Sequence, residues 1–129
     1  MDEVNIMNES PNWPTEEEEQ LIQEYMFLPA IRMALERDRK RIQAAKTKFE
    51  QCYLFTIDEA IHRVTQDMNK NKKKLFDLGI KPKRKDWFSY DVTTRGRIFD
   101  ITYHKNNAAD WINERIKDYL INQSYLIID

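Results

Sequence analysis

Apolar residues recur at steps of three and four through most of the first 78 positions, and then the pattern changes to alternation. Leu21, Ile22, Tyr25 and Met26 form the first stripe and predict a short N-terminal helix over about residues 15–28. Thr15 and Glu18 have the spacing of a capping box, in which each side chain binds the other's backbone amide. Glu16, Glu17 and Glu18 sit where the helix dipole favours negative charge. A residue before proline avoids the α region, so this helix is expected to end near Leu28. Pro29 then suits the first turn of a second helix, over about 30–52, where its missing N–H costs nothing.

That second stripe runs Ile31, Leu35, Ile42, Ala45, Phe49 and Cys52, and its unfilled place is Asp38. A third runs Ile57, Ile61, Val64, Met68, Leu75 and Leu78 over about 57–78, and its unfilled place is Asn71. Thr56 with Glu59 repeats the capping-box spacing, and Phe55 is placed to staple onto Ala60. One helix through both stripes would far exceed the usual length. The chain is therefore expected to turn at about 53–56 and form an antiparallel αα-hairpin. Tyr53, Leu54 and Phe55 would then need cover from elsewhere. In this register Cys52 meets Ile57, Phe49 meets Ile61, Ala45 meets Val64 and Ile42 meets Met68. Leu35 meets Leu75, Ile31 meets Leu78, and Asp38 stands opposite Asn71 as a polar layer able to fix the register. Gly79 is placed as a helix C-cap, with Lys72, Lys73 and Lys74 complementing the dipole.

Residues 87–104 alternate as a two-stranded antiparallel β-hairpin. With Arg95-Gly96 as a two-residue turn, Val92 faces Phe99, Tyr90 faces Ile101 and Phe88 faces Tyr103, giving one apolar face. A shift of one residue would mix the faces, so the hydrophobic pattern selects this pairing. Turn chemistry is less favourable to it, since Asn-Gly or Asp-Gly is the strong two-residue signal, and a three-residue loop with Gly96 left-handed also fits. The same register sets Asp91 opposite Asp100, a repulsion that a neighbouring base or a cation would relieve. A C-terminal helix is expected over about 107–121, capped by Asn107, with Trp111, Ile112, Ile116, Tyr119 and Leu120 on its buried side. The apolar tail at 124–129 either adds a strand to the hairpin or covers the loop at 53–55. Together these elements predict an α+β, mainly helical fold: a flexible acidic lead over 1–14 and a single globular domain over 15–129.

The 129 residues carry a net charge of −1, which leaves no whole-molecule field to draw in nucleic acid. Charge is nevertheless segregated. Residues 1–24 hold eight acids and no base, whereas residues 69–85 hold eight bases against Asp77 alone. No apolar run approaches the length of a membrane span, and the N-terminus lacks the basic start and apolar stretch of a secretory signal. The one cysteine, Cys52, fits a reducing cytoplasm and reads as a small buried apolar group on a helix seam.

Signals of catalysis are sparse. His62 and His104 fall in different elements, no metal-ligand spacing exists, and two isolated glycines cannot cradle a phosphate. No enzyme activity, cofactor or metal is expected. Two readings of function remain. One is a small cytoplasmic interaction or regulatory protein acting through an unidentified protein partner or self-association, with Trp13, Tyr125 and Leu126 as candidate contacts. The alternative is nucleic-acid binding through Lys70, Lys72, Lys73, Lys74, Lys83, Arg84 and Lys85, with Arg95 and Arg97 at the hairpin tip.

Overall fold

The computed structural model describes residues 14–121. Its elements are α1 (Glu16–Ala45), α2 (Glu50–Asp77), β1 (Lys81–Arg84), β2 (Ser89–Thr94), β3 (Arg97–Thr102) and α3 (Lys105–Ile121). The fold is α+β and mostly helical: two packed N-terminal helices, a small antiparallel sheet and a C-terminal helix. The expected acidic lead (apart from Pro14) and the apolar tail at 124–129 lie outside the described residues.

The N-terminal capping box forms as its spacing predicts. The Glu18 amide donates to Thr15 Oγ1 at 3.1 Å, and the Thr15 amide donates to Glu18 Oε1 at 2.9 Å. The helix does not end at Leu28, however. It continues through Pro29 to Ala45 as one element. Pro29 deprives the Tyr25 carbonyl of its intrahelical donor, but Leu28 and Ile31 on either side of it are wholly buried. Their burial against the other helices, worth about 1.5–3 kcal/mol per side chain, offsets the local preference to break.

The chain reverses at residues 46–49 rather than at 53–56. Lys46 closes α1 in the left-handed conformation (φ 51°). Nothing in Ala44-Ala45-Lys46-Thr47 announces this, because the residue that takes up the unfavourable φ is not a glycine. Thr56 is no cap. It lies within α2, where its hydroxyl donates to the Cys52 carbonyl at 3.2 Å. Moving the turn by about one heptad leaves each stripe in phase and slides the two helices past one another. Leu28, Ile31 and Leu35 consequently pack with Ala60 and Val64, and Arg39 Nε bonds Asp58 Oδ1 at 2.6 Å. The expected layers are replaced. Asp38 is exposed, 3.7 Å from Arg41, whereas Asn71 is buried and donates to the Leu21 carbonyl. Cys52 and Phe49, assigned to the seam above, are exposed.

Gly79 caps α2 as expected. At φ 71° it lets Ile80 N–H reach the Leu75 carbonyl and its own N–H reach that of Phe76, the paired bonds of a Schellman ending. The chain then forms β1, so the sheet has three strands in the order β1-β2-β3 rather than two. β1 is Lys-Pro-Lys-Arg, too polar and too short to register as a strand by alternation. It is nonetheless well suited to an edge, where lysines deter pairing and a proline is tolerated.

The β2–β3 register is the expected one, with Val92 opposite Phe99 and Tyr90 opposite Ile101. Arg95 and Gly96 both have positive φ, 56° and 73°, so they form the two-residue turn and not the three-residue loop. Asn107 is not the N-cap of α3. The Asn106 amide donates to Nδ1 of His104, and the helix begins at Lys105.

Two connected cores result. One joins Leu21, Ile22, Met26 and Phe27 of α1 to Leu75, Ile80, Tyr90, Val92 and Ala108 at the sheet end. The other lies within the three helices, around Leu28, Ile31, Leu35, Ala60, Val64 and Tyr119.

Candidate functional site

The elements converge beside β1 on a cleft of about 240 Å³. Glu24, Tyr25 and Pro29 line it from α1, Met68, Asn71 and Lys72 from α2, Arg84 from β1 and Tyr90 from β2. Each is there for a local reason. Cross-strand partners share a face, so Arg84, opposite the buried Tyr90, points to the helical side of the sheet, whereas Lys83 shares the outer face with Asp91. Asn71 and Leu75 turn inward on α2, which swings Lys72 to the cleft side and Lys70, Lys73 and Lys74 elsewhere around the helix.

Glu24 is already neutralised. Arg115 of α3 reaches it at 2.6 Å. Burial pulls the Arg115 guanidinium down, but the Glu24 bond and the nearby acids outweigh it and leave its pKa raised. The Tyr25 and Tyr90 rings meet edge-to-face at 5.8 Å, and burial pushes the Tyr90 hydroxyl up against the opposing influence of Arg84. Lys72 has no ion-pair partner among the described residues. Arg84 spends its Nε on the Asp86 carbonyl at 3.2 Å, and its guanidinium lies 4.2 Å from the ring centre of Trp87, which is 65% exposed. The cleft is thus walled by two tyrosines and edged by two cations. At this volume it admits a side chain or small anion rather than a drug-sized ligand, which needs about 300–1,000 Å³.

The nine basic residues singled out above do not form one patch. Lys72 and Arg84 line the cleft. Lys73 pairs with Asp77 at 3.1 Å. Lys85 stands 3.7 Å from Asp91 and 3.6 Å from Asp100, and it is the base that relieves the repulsion between them. Arg95 is held at the turn by Glu18, at 2.8 Å. Lys83 and Arg97 are exposed on β1 and β3, and Lys70 and Lys74 on α2. Trp13, Tyr125 and Leu126 lie outside the described residues.

Sequence reasoning missed the polar contacts that bind the three helices. The Tyr119 hydroxyl donates to Asp67 Oδ2, Arg63 Nη1 donates to the Tyr119 carbonyl at 3.2 Å, and Arg115 Nη2 donates to Glu24 Oε2 at 2.6 Å. All join residues more than fifty positions apart or on the outer sides of amphipathic stripes, so no local spacing marks them. Among the described residues no group of three or more His, Cys, Asp or Glu is placed to hold a metal ion, and no helix is long and apolar enough to cross a membrane.

A family model described as YhjD protein matches residues 13–124, a stretch that takes in every element above. The chain belongs to the YhjD protein family. Comparison with curated proteins and with solved structures gives no match.

Proposed function

We propose that this protein is a non-enzymatic interaction protein that acts through a partner protein, and that it takes an extended acidic segment along β1 and into the adjoining cleft. The observation that carries the reading is that Lys72 and Arg84, from different elements, line one cleft directly beside an edge strand with no neighbour on its outer side among the described residues. Lys81 and Lys83 on this edge deter pairing with a like-charged strand but attract an acidic one, Pro82 leaves the edge short of one backbone donor, and the pocket beside it selects a side chain. Two cations favour a carboxylate there, and complementary charge raises the rate of encounter. An exposed free thiol at Cys52 accords with work in the cytoplasm.

The nucleic-acid alternative has less support. Arg95, Lys85 and Lys73 are engaged within the chain, and the remaining bases point in several directions. The test is fluorescence anisotropy with three labelled probes: a glutamate-rich peptide, its glutamine counterpart and a short mixed-sequence duplex, each over about 50–200 mM salt. The acidic peptide should bind best, and Lys72→Glu with Arg84→Glu should weaken it about tenfold or more. Equal binding of both peptides, or no loss in the variant, overturns the reading. Preferential duplex binding selects the alternative.

A further inference from the structure

The cleft beside β1 is lined by buried polar groups that the fold leaves without partners. Asn71 is 3% exposed and Tyr90 4%. Asn71 spends one Nδ2 hydrogen on the Leu21 carbonyl, and its Oδ1 accepts from nothing among the described residues. The Tyr90 hydroxyl likewise has no hydrogen-bond partner among them. Tyr25 and Pro29 line the same cleft, and Pro29 has no N–H to give the Tyr25 carbonyl four residues back. Native proteins keep few such groups, because each costs its desolvation.

The groups are of two kinds. Asn71 Oδ1 and the Tyr25 carbonyl accept only, whereas Lys72 and Arg84 donate and carry charge, and the Tyr90 hydroxyl can donate beside them. Glu24, the acid in the wall, is already held by Arg115 at 2.6 Å, so the cleft favours an anion. A side-chain carboxylate satisfies the donors and leaves the acceptors unmet, and a carboxamide meets the acceptors without the charge. The last residue of a polypeptide meets both, since its carboxylate and its own N–H are attached to one carbon. A chain end also enters with a single connection, where an internal residue needs room for two, and the cleft is only about 240 Å³. We propose that the cleft takes the C-terminal residue of the partner, its α-carboxylate on Lys72, Arg84 and the Tyr90 hydroxyl and its N–H on Asn71 Oδ1. The apolar wall of Tyr25, Pro29 and Met68 suits an apolar side chain on that residue, and the residues before it follow β1. This rests on the reading of the cleft as the partner's site and names which carboxylate enters it.

The experiment is anisotropy of the full chain with a labelled glutamate-rich peptide ending in leucine, made in three forms. One has a free carboxylate, one a terminal carboxamide, and one a free carboxylate on N-methylleucine. Each modification should weaken binding about tenfold or more. Tyr90→Phe should weaken the free-carboxylate peptide by about the same factor without lowering Tm, because the hydroxyl it removes has no partner in the fold. Unlabelled N-acetylleucine, the same end without a chain, should compete far less well than the unlabelled peptide. Equal binding of acid and amide overturns the proposal while leaving a preference for glutamate over glutamine intact, so the two readings fail separately. Unchanged affinity in Tyr90→Phe or with the N-methyl peptide overturns it too. Competition by N-acetylleucine as strong as the peptide's would make a small carboxylate the ligand and overturn the chain end.

Discussion

Asn71 of α2 donates its side-chain amide to the backbone carbonyl of Leu21 in α1, at 2.8 Å and with only 3% of the residue exposed. This bond fixes one helix against the other at a level where a plain apolar contact would permit sliding. Asn71→Leu should cost about 1 kcal/mol, and Asn71→Asp about 2–3 kcal/mol, because a buried carboxylate would face a carbonyl. Asp38→Leu should change stability by less than about 0.5 kcal/mol. Urea unfolding of the three variants checks this. A cost at Asp38 equal to that at Asn71 would restore the discarded pairing between them.

Glu18 does two jobs, capping α1 through Oε1 and holding Arg95 through Oε2. Arg95 sits at a left-handed turn position that Asn would fill more easily. Arg95→Asn should therefore lose the ion pair and gain turn propensity, for a net change within about 1 kcal/mol. In a Glu18→Ala background, where no partner remains to lose, the same change should stabilise by about 0.5–1 kcal/mol. A double-mutant cycle reads the difference, and additivity would show that the two side chains are uncoupled.

Lys46 closes α1 at φ 51°, so Lys46→Gly should raise stability by about 0.5–1 kcal/mol as the steric cost of that conformation disappears. A chain that turned at 53–56 would instead have this residue in mid-helix, where glycine costs about 1 kcal/mol. The sign of the change in the denaturation midpoint decides between the two.

Lys85 lies between Asp91 and Asp100, all partly exposed. Lys85→Ala should destabilise by about 0.5 kcal/mol at low salt and by less at high salt, since screening weakens both the lost attraction and the exposed repulsion. Asp100→Asn in the same chain should recover the loss. Unfolding at two salt concentrations provides the comparison.

Burial, with Asp67 beside one and Glu19 beside the other, raises the hydroxyl pKa of Tyr119 and Tyr103 above the ordinary value of 10. Their contribution is complete below that value and is lost as pH rises through the folded pKa values, because the unfolded chain releases these protons first. Tm should accordingly fall more steeply above about pH 10 than that of a Tyr103→Phe/Tyr119→Phe variant. Melting followed by circular dichroism across that range is the measurement, and parallel curves would contradict it.

Local chemistry was sufficient for several features. The Thr15–Glu18 box, the Gly79 cap and the β2–β3 register each depend on a few neighbouring residues whose alternatives are sterically or hydrophobically poor. The position of the α1–α2 turn is a different kind of quantity. A stripe with a heptad period looks the same after a shift of about seven residues, so apolar spacing cannot choose between turns at 46–49 and 53–56, and the misleading cap at Thr56 favoured the wrong one. Only the assembled structure chooses, through the Asn71–Leu21 bond, the packing of Leu28 and Ile31 across Pro29, and the seating of Tyr119 against α2. The cleft follows from that choice, since Lys72 and Arg84 line it together only when α2 and the sheet edge are held in this register. What the chain alone determined is therefore the order of helical and extended stretches, the caps at Thr15 and Gly79 and the β2–β3 pairing, whereas the passage of α1 through Pro29 and the strand β1 were not legible in it. What tertiary structure decided is the sliding of one helix along another, because long-range contacts remove a degeneracy that local periodicity leaves intact.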